Sequence, residues 1–439
     1  MKRLIYNATI VNDGRKFKGA VLIEDDRIAE VIEGKVSLSS FPIGSLSFIS
    51  IDAEGMMLLP GVIDTHVHFR EPGLTHKADI AHESRAALAG GVTSVMDMPN
   101  VNPPTTTLEH WKERMELGKR ESRVNFAYYL GATNSLTLSK GNLPIKLFMG
   151  SSTGNMLVDN HETLRQLFRM VAENQSPYPI VAHCEDTPRI NERMAEAKQR
   201  WGDDPPVVHH PWIRDEEACY CSSSLAVKLA HETGARLHIA HITTARELAL
   251  LGGNVTGEVC VPHLLFCDED YAKLGTRIKC NPAVKSRSDR EALRQALADG
   301  KLLTIATDHA PHLPSEKEGG CARAASGMPM VQFSLVSMLG LVNEGVLSLE
   351  RMVDAMCHQP ATLFNIPERG FIRPGYKADL VLVRPYNWTL QKEDILSKCG
   401  WSPLEGRTFH WQVQKTFVNG QLAYDNGHIN DTLRGEPIL

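Results

Sequence analysis

Six side chains spread along the sequence have the types and spacing to hold metal ions together. Asp64-Thr-His66-Val-His68 closes an apolar run. Side chains of a strand alternate with period two, so His66 and His68 point to one side and can share a cation. Lys146 stands alone among apolar neighbours in Pro144-Ile-Lys-Leu-Phe-Met, where burying an ammonium is costly. Two readings follow: a lysine that snorkels out of its strand, or one carbamylated on Nζ so that its new carboxylate bridges two metals. Ile180-Val-Ala-His183-Cys-Glu185 and His238-Ile-Ala-His241 each bring an imidazole to the end of a run. His238, three positions before His241, falls on the opposite face and is expected to pack against a helix, while Cys184, beside an inward His183, is expected to face outward. Leu302 to Thr307 leads into Asp308, a carboxylate that can ligate a metal and carry a proton, with His309 and His312 just beyond. Four imidazoles, a lysine and an aspartate, with no thiolate, suit zinc, with manganese or cobalt as substitutes.

The elements that must position these groups are legible as eight apolar runs: 61–67, 92–97, 124–131, 144–149, 179–183, 236–241, 255–261 and 302–307. Amphipathic stretches lie between them, among them 77–89, 108–120, 161–174, 215–233 and 288–299, and 348–363 reads as a terminal helix. Near-continuous apolar strands alternating with helices pair in parallel, and eight of them predict an α/β fold of the (β/α)8 barrel type. Such barrels carry their chemistry at the C-terminal strand ends, where every polar group above falls. Residues 1–55 and 366–439 read differently, as short strands with turn signals such as Asp13-Gly14 and Asn419-Gly420. Each has too few strands for a core of its own, so the two ends are expected to meet as a small β-sandwich domain beside a barrel of residues 56–365.

With 42% hydrophobic and 23% charged residues in 439, the chain has ample material for a large core, and disorder is excluded as its main state. A formal charge of −5 argues against a nucleic-acid surface and a polybasic membrane anchor, leaving a small-molecule partner. Asn7 and Asn12-Asp13 interrupt the first apolar run before a signal-peptide core forms, and no window reaches the roughly 20 apolar residues of a membrane span. A cytoplasmic location is expected. The nine cysteines, including Cys219-x-Cys221, read as small buried hydrophobes.

Three stretches carry a resemblance that covers nearly the whole chain: Pro60-Gly-Val-Ile-Asp-Thr-His-Val-His-Phe-Arg-Glu-Pro-Gly73, Gly90-Gly-Val-Thr-Ser-Val-Met-Asp-Met-Pro-Asn100 and Ala306-Thr-Asp-His-Ala-Pro-His312, with Pro374-Gly-Tyr-Lys-Ala-Asp-Leu-Val closing the small domain. The sequence resembles the dihydroorotase group of the amidohydrolase superfamily. The resemblance implies a cyclic amide hydrolase that interconverts (S)-dihydroorotate and N-carbamoyl-L-aspartate in pyrimidine biosynthesis, with water activated between two Zn2+ ions bridged by carbamylated Lys146. It implies that His66, His68 and Asp308 ligate one metal, that His183 and His241 ligate the other, and that Asp308 shuttles the proton. It places the substrate carboxylate against Arg70 and Asn100, with His312 completing that pocket and Asn281 near the ring. Arg70 continues the inward series two positions after His68, and its planar fork suits a carboxylate, although an ion pair with Glu71 is the plainer use of it. A homodimer or higher homo-oligomer is implied as well.

Two departures stand out. Lys146 occupies a place where many bacterial relatives carry an aspartate, an arrangement resembling hydantoinases and allantoinases, and the seventh run departs from the family pattern around His263, which is left out of the metal set. An allantoinase or hydantoinase is the alternative enzyme, and an inactive barrel serving as an assembly partner is the alternative outside catalysis. Residues 313–328 are long enough to form a lid over the mouth.

Overall fold

The computed structural model describes residues 2–36, 48–134, 143–150 and 156–439; the 37–47 part of the expected N-terminal β module lies outside the described residues. The chain opens with β1 (Lys2–Asn12), β2 (Arg15–Glu24), β3 (Arg27–Glu33), β4 (Phe48–Asp52) and β5 (Met57–Pro60). Asp13-Gly14 turns β1 back on β2, both residues at positive φ (51° and 70°), the geometry that two-residue hairpins of right-handed twist require. At the other end of the chain stand β15, β16, β17 and β18 (Leu380–Thr389, Thr408–Val418, Gln421–Asp425 and His428–Ile429), and Asn419-Gly420 makes the same kind of turn, φ 49° and 71°, between Val418 and Gln421. These nine strands form one hydrogen-bonded sheet in the order β18-β17-β16-β15-β5-β1-β2-β3, with β4 also paired to β1. The short β5 is its hinge, parallel to β1 on one side and antiparallel to β15 on the other. Ile5, Ile10, Val21, Ile23, Leu58, Leu380, Leu382 and Phe417 pack into a core that belongs to this sheet.

Between these ends run nine short strands: β6 (Val62–Val67), β7 (Val92–Asp97), β8 (Asn125–Tyr128), β9 (Leu130–Gly131), β10 (Ile145–Phe148), β11 (Ile180–His183), β12 (Leu237–Ile239), β13 (Val255–Cys260) and β14 (Thr304–Ala306). All pair in parallel, in the orders β6-β7-β8 and β14-β13-β12-β11-β10-β9. The two ladders meet where β8 and β9, one continuous run, pair to β7 through their first half and to β10 through their second. They approach again where the His68 amide donates to the His309 carbonyl at 2.8 Å, beside a bridge between Val67 and His309. Helices separate the strands, and three of them start at a polar cap: Asp79 for Ile80–Ala89, Asn160 for His161–Glu173 and Asp215 for Glu216–Thr233, whose far end is closed by Gly234 at φ 80°. Thr187–Trp201 and Ser334–Asn343 are helices beyond those read from periodicity. Among the described residues no helix is long and apolar enough to cross a membrane.

One orientation differs from the sequence reading. His238 does not pack outward against a helix; its Nδ1 lies 2.7 Å from Thr256 Oγ1 and its Nε2 3.2 Å from Thr304 Oγ1, on the face of β13 that also carries Glu258. The period-two argument failed because β12 ends at Ile239 and the chain turns at His241, φ 38°, so His238 and His241 share a side despite their odd spacing.

Candidate active site

The strand ends converge on a cavity lined by His66, His68, Arg70, Asn100, His183, His241, Asn281, Asp308, Ala310, Ser326 and Gly327. His66 and His68 leave the end of β6 with ring centroids 5.5 Å apart, and both Nε2 atoms approach Asp308 Oδ1, at 3.4 and 3.1 Å. Their other nitrogens are held from behind: His66 Nδ1 is 2.7 Å from Glu258 Oε1, and His68 Nδ1 is 2.7 Å from Asn100 Oδ1. With a proton on each Nδ1 donated backward, the Nε2 lone pairs face Asp308 and the cavity, the arrangement that metal-binding imidazoles need. His183 and His241 form a second pair, Nδ1 to Nε2 2.9 Å, and the His241 ring lies 5.3 Å from that of His66. Lys146 does not line the cavity. It is fully buried, its Nζ 5.4 Å from the Phe148 ring.

Asp308 follows β14 by two residues at φ 47°, in the left-handed region that a non-glycine residue occupies at a cost. Asp64 holds that turn: its carboxylate accepts from the Thr307 amide at 3.2 Å and the Thr307 hydroxyl at 2.6 Å. Arg70 and His241 are also left-handed, at φ 67° and 38°, so three side chains of one site owe their direction to backbone that leaves its strand against preference. Burial would raise the Asp308 carboxyl, but the neighbouring His66 and His68 imidazoles override it and hold it well below the carboxylate range. Burial lowers His68 to about 4 and pushes His183 and His241 down as well, so these rings are neutral at pH 7 and free to act as ligands.

A metal pair fits these residues. Lys146 Nζ and His241 Nδ1 are buried without a hydrogen-bond partner among the described residues, and His183 Nε2, 3.1 Å from Glu185 Oε2, lies outside hydrogen-bonding geometry. Buried polar atoms left in this state are rare unless something else satisfies them. Imidazoles around one carboxylate form a nitrogen and oxygen donor set, and His66, His68 and Asp308 come within ligand distance of one another.

The cationic end of the cavity has another character. The Arg70 guanidinium is 1% exposed, its Nε donates to the Pro311 carbonyl at 3.2 Å, and its Nη1 has no hydrogen-bond partner among the described residues. No ion pair joins it to Glu71, whose Oε2 accepts from the Ile80 amide instead. His312 stands behind Arg70, Nε2 to Nη2 3.2 Å, with Lys77 Nζ 3.3 Å from its Nδ1. Burial, then the charges of Arg70, Lys77 and Lys317, keep this imidazole far below its ordinary range and neutral. It backs the cavity without lining it. Asn281 does line it, its Oδ1 3.2 Å from His210 Nε2, whereas His263 is turned toward the Pro282 carbonyl.

Glu258, Asp64, Lys77 and Lys317 were not picked out from the sequence. Glu258 in Val255-Thr-Gly-Glu-Val-Cys is, like Lys146, a charge inside an apolar strand and is conspicuous in the sequence for the same reason. Cys184 is buried on the outer side of its strand near Ser222 and Ser223, where burial pushes its thiol up to about 12. Of residues 313–328, the expected lid, Ser326 and Gly327 line the cavity, Lys317 donates to the Gly327 carbonyl, and the Gly320 amide donates to Asp204.

Parallel strands that aim imidazoles and a carboxylate into one mouth build the kind of site that metal-dependent hydrolases use. The chain belongs to the amidohydrolase family, which it matches over residues 57–423. It is 36% identical over 392 residues to a dihydroorotase of Halobacterium salinarum, covering 87% of this chain and 90% of that one. A dihydroorotase of Lactobacillus gasseri is 33% identical over 450 residues, covering 97% and 100%. Among solved structures, the L-hydantoinase of Arthrobacter aurescens superposes with a TM-score of 0.89 at 26% identity, covering 97% of each chain.

Proposed function

We propose that the protein is a dihydroorotase, which hydrolyses (S)-dihydroorotate reversibly to N-carbamoyl-L-aspartate. The observation that carries this reading is Arg70: a buried guanidinium at the cavity with an unpartnered Nη1, beside the imidazole cluster, is a socket for the free carboxylate that distinguishes this substrate from neutral cyclic amides. The names of the relatives at 36% and 33% identity support it.

In this reading His66, His68 and Asp308 would hold one divalent cation and His183 and His241 the other, and Lys146, as its carbamate, would supply a carboxylate to both. Burial lowers Lys146, favouring the neutral amine that adds carbon dioxide and gives up a proton. When bound, two zinc ions supply the Lewis acidity that activates water and polarises the ring carbonyl. Arg70 takes the substrate carboxylate in its fork, and Asn100, already oriented by His68, closes on the same group. His312, held neutral, stands behind Arg70 without competing for the anion, and Asn281 faces the ring. Asp308 accepts the proton of the attacking water and delivers it to the ring nitrogen as the carbon–nitrogen bond breaks; in the reverse direction it takes that proton back.

The proposal extends to the architecture. The two parallel ladders close as one (β/α)8 barrel over residues 56–365, and the sheet from 1–55 and 366–439 folds over its own core as a sandwich-like domain. We place the enzyme in the cytoplasm as a homodimer or larger homo-oligomer acting on a small molecule, without nucleic-acid or membrane partners.

The hydantoinase likeness favours a second reading, a hydantoinase or allantoinase that uses the same metals. Purified, zinc-loaded protein assayed side by side on dihydroorotate, allantoin and dihydrouracil separates the two. Dihydroorotate is expected to be turned over fastest, and a preference for either neutral ring overturns the proposal.

A further inference from the structure

Ser326 and Gly327 form part of the cavity wall, and the four consecutive carbonyls of residues 324–327 each meet a buried nitrogen. Lys279 Nζ donates to the Ala324 carbonyl, Lys317 Nζ to those of Ala325 and Gly327, both at 2.7 Å, and His312 Nε2 to that of Ser326 at 3.1 Å. The third Lys317 proton goes to the Lys279 carbonyl at 3.1 Å, which also accepts from the Gly327 amide at 2.9 Å. Lys317 is 5% exposed, and its hydrogen-bond partners are three neutral carbonyls with no carboxylate among them. Burying a charge on such terms is costly, so the arrangement calls for a role beyond packing. At its far end the segment is pinned by Asp204, whose carboxylate accepts from the amides of Gly320, Ala322 and Arg323 at 2.7, 2.9 and 3.0 Å. Gly327, at φ 136°, leaves no room to drift, since a Cβ there would stand 2.6 Å from the Ala310 carbonyl oxygen.

We propose that Lys317 is a positioning residue for the substrate's carboxylate: it gathers the Ala325 and Gly327 carbonyls onto its ammonium and fixes the Ser326–Gly327 wall beside Arg70. The inference rests on the dihydroorotase reading and deepens it. A carbonyl swung toward the socket would present its negative end to the incoming anion and offer Arg70 an internal partner in place of the substrate. With the carbonyls held by Lys279, Lys317 and His312, the socket keeps its positive character.

Lys317→Met keeps the length and removes all three donors. In the zinc-loaded enzyme it should raise KM for dihydroorotate on the order of 10- to 100-fold, with kcat within about threefold and metal content unchanged, as a displaced binding wall predicts. Asp204→Asn, at the rim of the same wall, should move KM in the same direction by a smaller factor, about 3- to 10-fold. Succinate binding, followed by calorimetry, reads the socket without turnover and should weaken about tenfold in Lys317→Met. Parental KM and parental succinate affinity in Lys317→Met overturn the role, as does a loss of kcat and metal together. If Lys317→Met does not fold, an unchanged KM in Asp204→Asn overturns it equally. A parent that binds succinate but does not turn over dihydroorotate defeats the functional reading and leaves the socket standing. A parent that does neither defeats both.

Discussion

The two ends of the cavity are built from different material. The imidazole end stands on or just beyond strands: His66 and His183 close β6 and β11, Lys146 and Glu258 lie within β10 and β13, and Asp308 and His241 follow β14 and β12 by two residues. The cationic end hangs on loops: Arg70, Lys77, Lys279, His312 and Lys317 lie in connections or single turns, tied to backbone carbonyls and to each other. The one end is thus fixed by hydrogen-bonded ladders, while the other lies on segments that can vary without disturbing them.

Substitutions at the two ends should therefore fail in different ways. The largest loss belongs to Lys146→Ala, beyond about 10⁴-fold in kcat, with metal content falling in step and partial rescue by short carboxylic acids. Full activity with unchanged metal would remove Lys146 from the bridge. Asp308→Asn should cost about 10²–10⁴-fold in turnover while substrate still binds, since a positioned acid–base group is lost; near-normal turnover in a stopped assay would pass the proton to another residue. At the loop end, Arg70→Ala should lower kcat/KM for dihydroorotate by about 30- to several-thousand-fold, equivalent to about 2–5 kcal/mol, with metal retained and Arg70→Lys recovering only part. Turnover of neutral imides should be indifferent to both changes, and a proportional loss there would erase the distinction between the two ends. Glu258→Gln tests the support of the strand end, with an expected 10- to 100-fold drop in metal affinity or activity, measured by zinc titration.

The smallest effect concerns Lys317. Burial, reinforced by Lys279 and Arg70, lowers its ammonium to about 7. Above that pH the folded protein has released a proton that the unfolded chain keeps up to the ordinary lysine range, so stability gained from this group rises with pH. The difference in Tm between parent and Lys317→Met should therefore shift in the parent's favour from pH 6.5 to pH 9, and a flat difference means that burial does not perturb the group.

The parallel strands were legible because buried strands read as apolar runs: Val92–Asp97 appears with the same bounds in sequence and structure, and the other runs differ by a residue or two at their ends or, at 124–131, divide in two. The residues of the imidazole end were legible for a related reason, since a histidine or lysine that ends or interrupts an apolar run is conspicuous. The cationic end was legible only at Arg70, Asn100, Asn281 and His312, through resemblance. Lys77 and Lys317 sit in polar loops where a lysine attracts no notice, and only the fold shows that their ammoniums are buried. His238 was misread because alternation holds only while the chain stays in a strand, and the positive φ at His241 lies in no local pattern.

The position of β5 matters in time as well as in space. Met57–Pro60 pairs with β1, already synthesised, and with Leu380–Val383, some 320 residues away. At the usual 5–20 residues per second of translation, the open edge of β5 waits roughly 15 to 65 seconds for its partner. All four of its side chains are buried in the finished sheet. During that interval the nascent chain carries an apolar strand with unpaired backbone, and the helices and strands that follow must shelter it, or a chaperone must, until the closing hairpin leaves the ribosome.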